Sequence, residues 1–296
     1  MRKFILGTDF WTDCDDCVAL RLLTRAVKAG EISLRGVAIN ACMEHSVASL
    51  VGFLRADGIG SIPIGLDARA TDFGGNPPYQ KRLAARFAPD LSNTDAEDAL
   101  SLYRRLLAES EDGEIELIEI GYPQVLAALL ASEGDAYSPL DGCALVKAKV
   151  KRIWMMAGKW DKDGEKENNF CRAERSRIGG DAFCRLCPVP VTFLGWEVGI
   201  GVLTGGHLDK NDHLYDALLD HGSEMGRHSW DPMLVHLALT GDATAAGYTT
   251  VRGWASVDAI TGANHFTPDP EGMHAYVVKA KEDAFYVCAI DSLLSL

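Results

Sequence analysis

The stretch from Arg2 to Leu23, RKFILGTDFWTDCDDCVALRLL, places an apolar run, an acidic loop and an amphipathic run one after another. Lys3 to Thr8 reads as a buried strand. From Asp15 to Ala29, the residues Val18, Leu22, Leu23, Ala26 and Val27 recur on one helical face, and Gly30 stops the helix. A strand feeding a helix through a short loop is the first half of a βαβ unit. The loop carries Asp9, Asp13, Asp15 and Asp16. Carboxylates that crowded repel one another unless protons or a cation share the space, and a hard divalent ion is the simplest remedy. An all-oxygen donor set favours calcium or magnesium over zinc. The plainer alternative is that Asp13 or Asp15 caps the helix and its neighbours are solvated.

Outward from that loop the same alternation continues. Leu34 to Asn40 reads as a strand, Ser46 to Ala56 as a helix and Ile62 to Gly65 as a third strand, giving a βαβαβ array with a parallel sheet. Such sheets bind ligands at the C-terminal ends of their strands, where Asp9 and Asn40 fall. Asp67 to Pro78, with Gly74, Gly75, Asn76 and two prolines, reads as a mobile flap before a helix over Tyr79 to Phe87. Next come a helix over Ala96 to Ser110, a strand over Glu114 to Glu119, a helix over Val125 to Ser132 and an apolar strand over Val150 to Ala157. The polar loop Gly158 to Asn169 is a second candidate lid. A strand over Val189 to Leu194 and a helix over Asp231 to Thr240 follow, and Val251 to Val287 reads as an appended hairpin. No linker or repeat interrupts the order. The expectation is one α/β domain over 1–296, with a mainly parallel Rossmann-like sheet flanked by helices and a small C-terminal β appendage.

Composition narrows the partners. With 296 residues, 47% of them hydrophobic, the chain can bury a large core, and its net charge of -13 repels nucleic acid and anionic membrane surfaces. A small neutral or cationic ligand fits better. Acidic residues arrive at Asp9 before a signal-peptide core can form, and no apolar run is long enough for a membrane helix, so a soluble, cytoplasmic location is expected. The eight cysteines then read as reduced thiols. Cys14/Cys17 and Cys184/Cys187 have Cys-x-x-Cys spacing, and a four-thiolate zinc site is the alternative to small buried side chains. Against it, the first pair straddles Asp15 and Asp16, and Pro188 and Pro190 follow the second.

The aspartate loop, Asp9-Phe-Trp-Thr-Asp13-Cys-Asp15-Asp16-Cys-Val-Ala-Leu20, resembles the N-terminal signature of inosine-uridine-preferring nucleoside hydrolases, in a form about two residues longer that is found in a divergent branch. Further blocks match in the same order along almost the whole chain. Asn40 stands at the strand-two asparagine, Gly121-Tyr-Pro-Gln124 at a Gly-Pro-Leu-Thr turn, and Glu167-Asn-Asn169-Phe at a Glu-Phe-Asn block. Val191 to Gly199 is similar to a strand ending in Gly-Phe-Glu-Val-Gly, and Ser229-Trp230-Asp231-Pro232 to a C-terminal motif more often written His-Asp-Pro. The resemblance implies one calcium ion held by Asp9, Asp16, the Gln124 carbonyl and Asp231, with magnesium second. It implies ribose contacts from Asp15, Asn40, Glu167 and Asn169, and from Asp161 where the family commonly has an asparagine. Asp9 would also accept a proton from the attacking water. Small nucleosides or ribosides are the implied substrates, and a homodimer or homotetramer the common assembly.

Departures from the pattern concern the leaving base. Trp230 stands where purine-cleaving members carry a histidine acid; an indole does not donate its proton at neutral pH, although it stacks on a base. His228 and His265 are candidate replacements, each also readable as a surface or structural histidine. Asp13 has no counterpart and reads as a second carboxylate layer or a substrate contact; Asn76 and Tyr79 are candidate ligand contacts from the flap. The acidic residues from Asp161 to Glu167 lack the spacing of an EF-hand. Competing readings are a ribose-binding paralogue without turnover, and a phosphohydrolase using Asp9 as nucleophile, which lacks a matching Lys and Asp pair.

Overall fold

The computed structural model describes residues 1–11 and 13–294. The chain opens with β1 (Arg2–Thr8), α1 (Asp15–Lys28), β2 (Ile32–Ile39), α2 (Ser46–Ala56) and β3 (Ile64–Leu66). It continues through α3 (Pro78–Phe87), β4 (Glu97–Asp98), α4 (Ala99–Ala108), β5 (Ile115–Glu119), α5 (Gln124–Ala131), α6 (Gly142–Lys149) and β6 (Val150–Met156). Then follow β7 (Glu165–Lys166), α7 (Asn168–Cys171), α8 (Glu174–Leu186), β8 (Val191–Leu194), α9 (Trp196–Gly199), β9 (Leu203–Thr204), α10 (His213–His221), β10 (Arg227–His228) and α11 (Trp230–Thr240). The C-terminal part is β11 (Tyr248–Val257), β12 (Ala263–Pro268), β13 (His274–Lys279) and α12 (Asp283–Leu294).

One sheet runs β4-β3-β2-β1-β5-β6-β8-β13-β11-β12-β7. Every pairing from β4 to β13 is parallel, and those from β13 to β7 are antiparallel. The strand order reverses between β2 and β5 around β1, which puts the C-terminal end of β1 at a topological switch point. Asp9 follows that end directly. Alternate side chains of β1 face opposite cores: Phe4 and Leu6 join one with α1, α2 and α11, whereas Ile5 joins the other with α4, α5 and α8. Both faces are therefore covered, as a parallel sheet requires.

Two sequence expectations are corrected here. The C-terminal β appendage joins the main sheet, as β13 pairs with β8 and carries β11 and β12 on as its antiparallel margin. The β reading of the tail to Val287 runs too far: residues 283–294 form a helix, with Tyr286, Ile290 and Leu294 buried at a spacing of four. The fourth helix begins at Ala99, not Ala96: Glu97 and Asp98 pair with β3, and the Asp98 carboxylate caps the helix by accepting from the Ser101 amide at 2.9 Å. Cys14 and Cys17 lie in one core and Cys184 and Cys187 in the other, all as free thiols, so the two pairs do not meet in a four-thiolate site among the described residues. Among the described residues no helix is long and apolar enough to cross a membrane.

Candidate active site

The aspartate loop turns sharply after β1. Phe10 sits at φ 45°, a left-handed conformation uncommon for a residue with a side chain. Neighbouring bonds hold it there: its amide donates to Thr8 Oγ1 at 3.0 Å and to Asp16 Oδ1 at 3.2 Å, and its carbonyl accepts from Gln80 Nε2 at 2.6 Å. Its buried ring meets Phe53 and Tyr79 edge-on. The turn carries Asp9 back toward Asp16, whose Oδ1 also accepts from the Thr8 hydroxyl.

From far along the chain, α11 packs its first turn against the first turn of α1. The Asp231 amide donates to Asp15 Oδ2 at 3.1 Å, joining residues 216 positions apart. Both helices thus aim N-termini at the same point, where their dipoles favour negative charge. Oxygens of Asp13, Asp15 and Asp16 lie within 4.8 Å of one another. Asp9 and Asp231 are outside that tight trio but line the same cavity, of about 260 Å³, with Glu167 and Asn169.

Burial and mutual repulsion set the electrostatics of the cluster. Burial, then the charges of Asp16 and Asp13, raises Asp9 well above the usual carboxylate range. Burial and Asp13 raise Asp15, and burial with Asp15, Asp16, Asp13 and Asp9 raises Asp231. Asp16 is pushed up to about 7 by burial, against the hydrogen bond from Thr8. Asp13 alone is lowered: burial pulls it up, but hydrogen bonding to Asp15 and the guanidinium of Arg227 at 2.9 Å outweigh that. A divalent ion fits this donor set, being hard, oxygen-seeking and able to neutralise charges that protons otherwise share.

On the opposite wall, Glu167 caps α7. Its Oε1 accepts from the Asn169 amide and its Oε2 from the Gly158 amide, each at 2.9 Å, while burial pushes it up to about 7. Asn169 Nδ2 donates to the Met156 carbonyl at 2.9 Å. Trp230 lines the cavity beside Trp196, ring centroids 6.3 Å apart and nearly parallel, and its indole N–H donates to the Trp196 carbonyl at 2.7 Å.

Several expected residues lie elsewhere. Gln124 does not line the cavity; its Nε2 donates to the Asn40 carbonyl at 2.6 Å, and the residue of this turn that faces the cavity is Ile120. Ile120 spends its amide on the Gly7 carbonyl at 2.9 Å, so the carbonyl is the polar group it has left to offer. Asn40 is buried behind the cavity, with Nδ2 donating to Glu119 at 2.7 Å and Oδ1 accepting from the Tyr122 amide at 3.0 Å. Asp161 is exposed and paired with Lys159 at 3.2 Å. His265 pairs with Asp163 on the exposed β12, and neither it nor His228, on β10, is among the cavity walls. Asn76 accepts from the Glu44 amide, and Tyr79 is buried with its hydroxyl on the Asp13 carbonyl at 2.8 Å, so it shapes the loop from behind.

Other wall residues escape sequence reading: Trp11, Ile120, Met156, Asn168, Arg172 and Trp196. Trp11 and Arg172 adjoin motifs that can be read, the aspartate loop and the Glu167 block, but nothing local shows which way their side chains turn.

No family model matches this sequence, and no curated protein does. Solved structures do. A plant nucleoside hydrolase, the PpNRh1 enzyme, matches with a TM-score of 0.73 at 17% identity, covering 99% of each chain. The inosine-uridine preferring nucleoside hydrolase from Bacillus anthracis gives 0.67 at 17%, again over 99% of each. The type III effector protein XopQ, complexed with adenosine diphosphate ribose, gives 0.69 at 14%, over 99% of this chain and 93% of that one. Full-length superposition on these structures establishes that the chain has the nucleoside hydrolase fold.

Proposed function

We propose that this protein hydrolyses the N-glycosidic bond of a ribonucleoside or related ribosyl compound in a calcium-dependent reaction. One observation carries the reading: Asp231 from α11 meets the acidic loop after β1 in the cavity that also holds Glu167 and Asn169. Calcium held by Asp9, Asp16, Asp231 and the Ile120 carbonyl would lower the pKa of the attacking water and orient the ribose hydroxyls. Asp9 takes the proton of that water as its oxygen bonds to the anomeric carbon. The C–N bond breaks, its electron pair leaves on the base, and the base takes a proton from solvent. Asp15, Glu167 and Asn169 hold the sugar, and the surrounding carboxylates stabilise the positive charge of its oxocarbenium-like transition state. The Trp196 and Trp230 rings offer a flat wall for a base.

The test is release of reducing sugar from purine, pyrimidine and nicotinamide ribosides in the presence of calcium. Asp9→Asn is expected to lower kcat/KM by about 10²–10⁴, the range for loss of a general base, without changing the circular dichroism spectrum. Absence of sugar release from every riboside overturns the reading. A second reading is a ribosyl-binding protein without turnover, favoured by one observation: among the described residues no histidine lines the cavity, and the Trp230 N–H is committed to Trp196. An activated nitrophenyl riboside separates the two, since it needs no leaving-group acid. Tight binding without its cleavage supports the second reading.

A further inference from the structure

The floor of the cavity is acidic, but its rim is not. Each tryptophan of the wall carries a cation over its ring: Arg172 over Trp11 at 4.6 Å, Arg227 over Trp230 at 5.4 Å and Lys159 over Trp196 at 5.9 Å. Two of these cations are already neutralised. Arg227 pairs with Asp13 at 2.9 Å, and Lys159 with Glu165 at 3.0 Å and Asp161 at 3.2 Å. Arg172 differs. It is exposed at the mouth, donates from Nη2 to the Phe73 carbonyl at 3.3 Å, and has no carboxylate partner among the described residues. In a chain of net charge -13, a cation held at a cavity mouth without a counter-charge is conspicuous.

Behind the rim, the buried Tyr122 ring stacks on Phe73 at 3.9 Å, the residue whose carbonyl accepts the Arg172 hydrogen bond. A planar guanidinium with free N–H groups above an indole is suited to a phosphate, which it grips by two charge-assisted hydrogen bonds. The acidic floor excludes a phosphate from the sugar end of the cavity, so such a group has to sit at the rim.

Resting on the hydrolase reading of the same cavity, we propose that Arg172 forms a phosphate subsite, and that the ribosyl substrate is a phosphorylated one, a nucleotide or nucleotide sugar, rather than a free nucleoside. The probes are adenosine, adenosine 5′-monophosphate and adenosine diphosphate ribose, each with calcium, followed by initial rates or by calorimetric titration. A terminal phosphate as the feature recognised favours the monophosphate, and a bridging one the diphosphate ribose. In the wild type at least one phosphorylated ligand is expected to surpass adenosine by about tenfold or more, with the advantage shrinking as salt is raised. Arg172→Ala should remove most of that advantage. Arg185→Ala, which deletes an equal charge on α8, should keep it. Adenosine handled as well as both phosphorylated ligands, or Arg172→Ala weakening all three equally, overturns the subsite while leaving the hydrolase reading standing. Failure of all three to bind or react overturns the subsite as proposed, and the riboside panel decides whether the hydrolase reading falls with it.

Discussion

Glu119 is a carboxylic acid sealed at the end of β5, behind the cavity rather than in it. Its Oε1 accepts from Asn40 Nδ2 at 2.7 Å and from the Gly121 amide at 3.0 Å, and its Oε2 has no partner among the described residues. The acid leaves no room beside β1: a Cβ added at Gly7 would lie 2.1 Å from that Oε2. Burial pushes the acid up to about 8 against its hydrogen bonds. The folded protein then keeps a proton that the unfolded chain releases in the ordinary carboxylate range, so this group's contribution to stability declines as pH rises from there through about 8. Glu119→Gln keeps the acceptor for Asn40 and removes the decline, so urea melts should show the variant gaining on the wild type between pH 6 and pH 8.5. A variant that loses ground over that interval contradicts the assignment. Glu119→Ala should instead cost about 1–3 kcal/mol at pH 6, the penalty of a buried amide left without an acceptor, and less at pH 8.5, because it too removes the decline.

Among the elements, the segment 67–78 departs most from its sequence reading. Its glycines and prolines suggest a mobile flap, yet bonds from two other segments strap it down. Trp11 Nε1 donates to the Gly75 carbonyl at 3.2 Å, and Arg175 donates to Asp72 at 2.7 Å and to the Arg69 carbonyl at 2.8 Å. Phe73 joins Trp11, Met43 and Tyr122 in a small apolar cluster of its own. The composition read as flexible serves the turns, while packing supplies the anchor. Arg175→Ala removes one strap, half-exposed and therefore worth about 1 kcal/mol. Amide exchange across 69–75 should quicken about fivefold, and KM should rise more than kcat falls, with little change in global melting. Unchanged exchange in that segment would show that the apolar cluster alone holds it.

For the molecule as a whole, the acidic cavity links stability to pH and, on the proposed reading, to calcium. Asp9, Asp15 and Asp231 are raised mainly by burial, and Asp16 and Glu167 reach about 7. Raised acids hold protons in the folded state that the unfolded chain lacks, so without a metal ion stability falls as pH climbs from the ordinary carboxylate range through 7. Calcium competes with those protons and should bind more tightly as pH rises. Chelation is expected to lower Tm more at pH 8 than at pH 5.5. At a hundredfold excess over Kd, calcium adds about 2.7 kcal/mol, or about 5 °C for a chain of this size. Thermal melts with and without chelator measure this, and a Tm at pH 8 indifferent to calcium would count against any ion in this cavity.

Much of the architecture is written locally. The apolar run of β1, the one-sided helix from Asp15, and the Ser46–Ala56 helix follow from short-range periodicity, and the acidic loop between the first two marks the site. The Glu167-Asn-Asn169 block singles out two residues, Glu167 and Asn169, that line the same cavity. Side-chain direction past the strand ends is a different matter, because it depends on register with partners distant in sequence. Register alone turns Asn40 inward onto Glu119, leaves Asp161 on the surface, and brings Ile120 rather than Gln124 to the wall. The pairing of β13 with β8 and the meeting of Asp231 with Asp15 belong to the same class. A sequence states which groups are present and in what order; only the closed sheet, by fixing which strands are neighbours, decides which of them share a cavity.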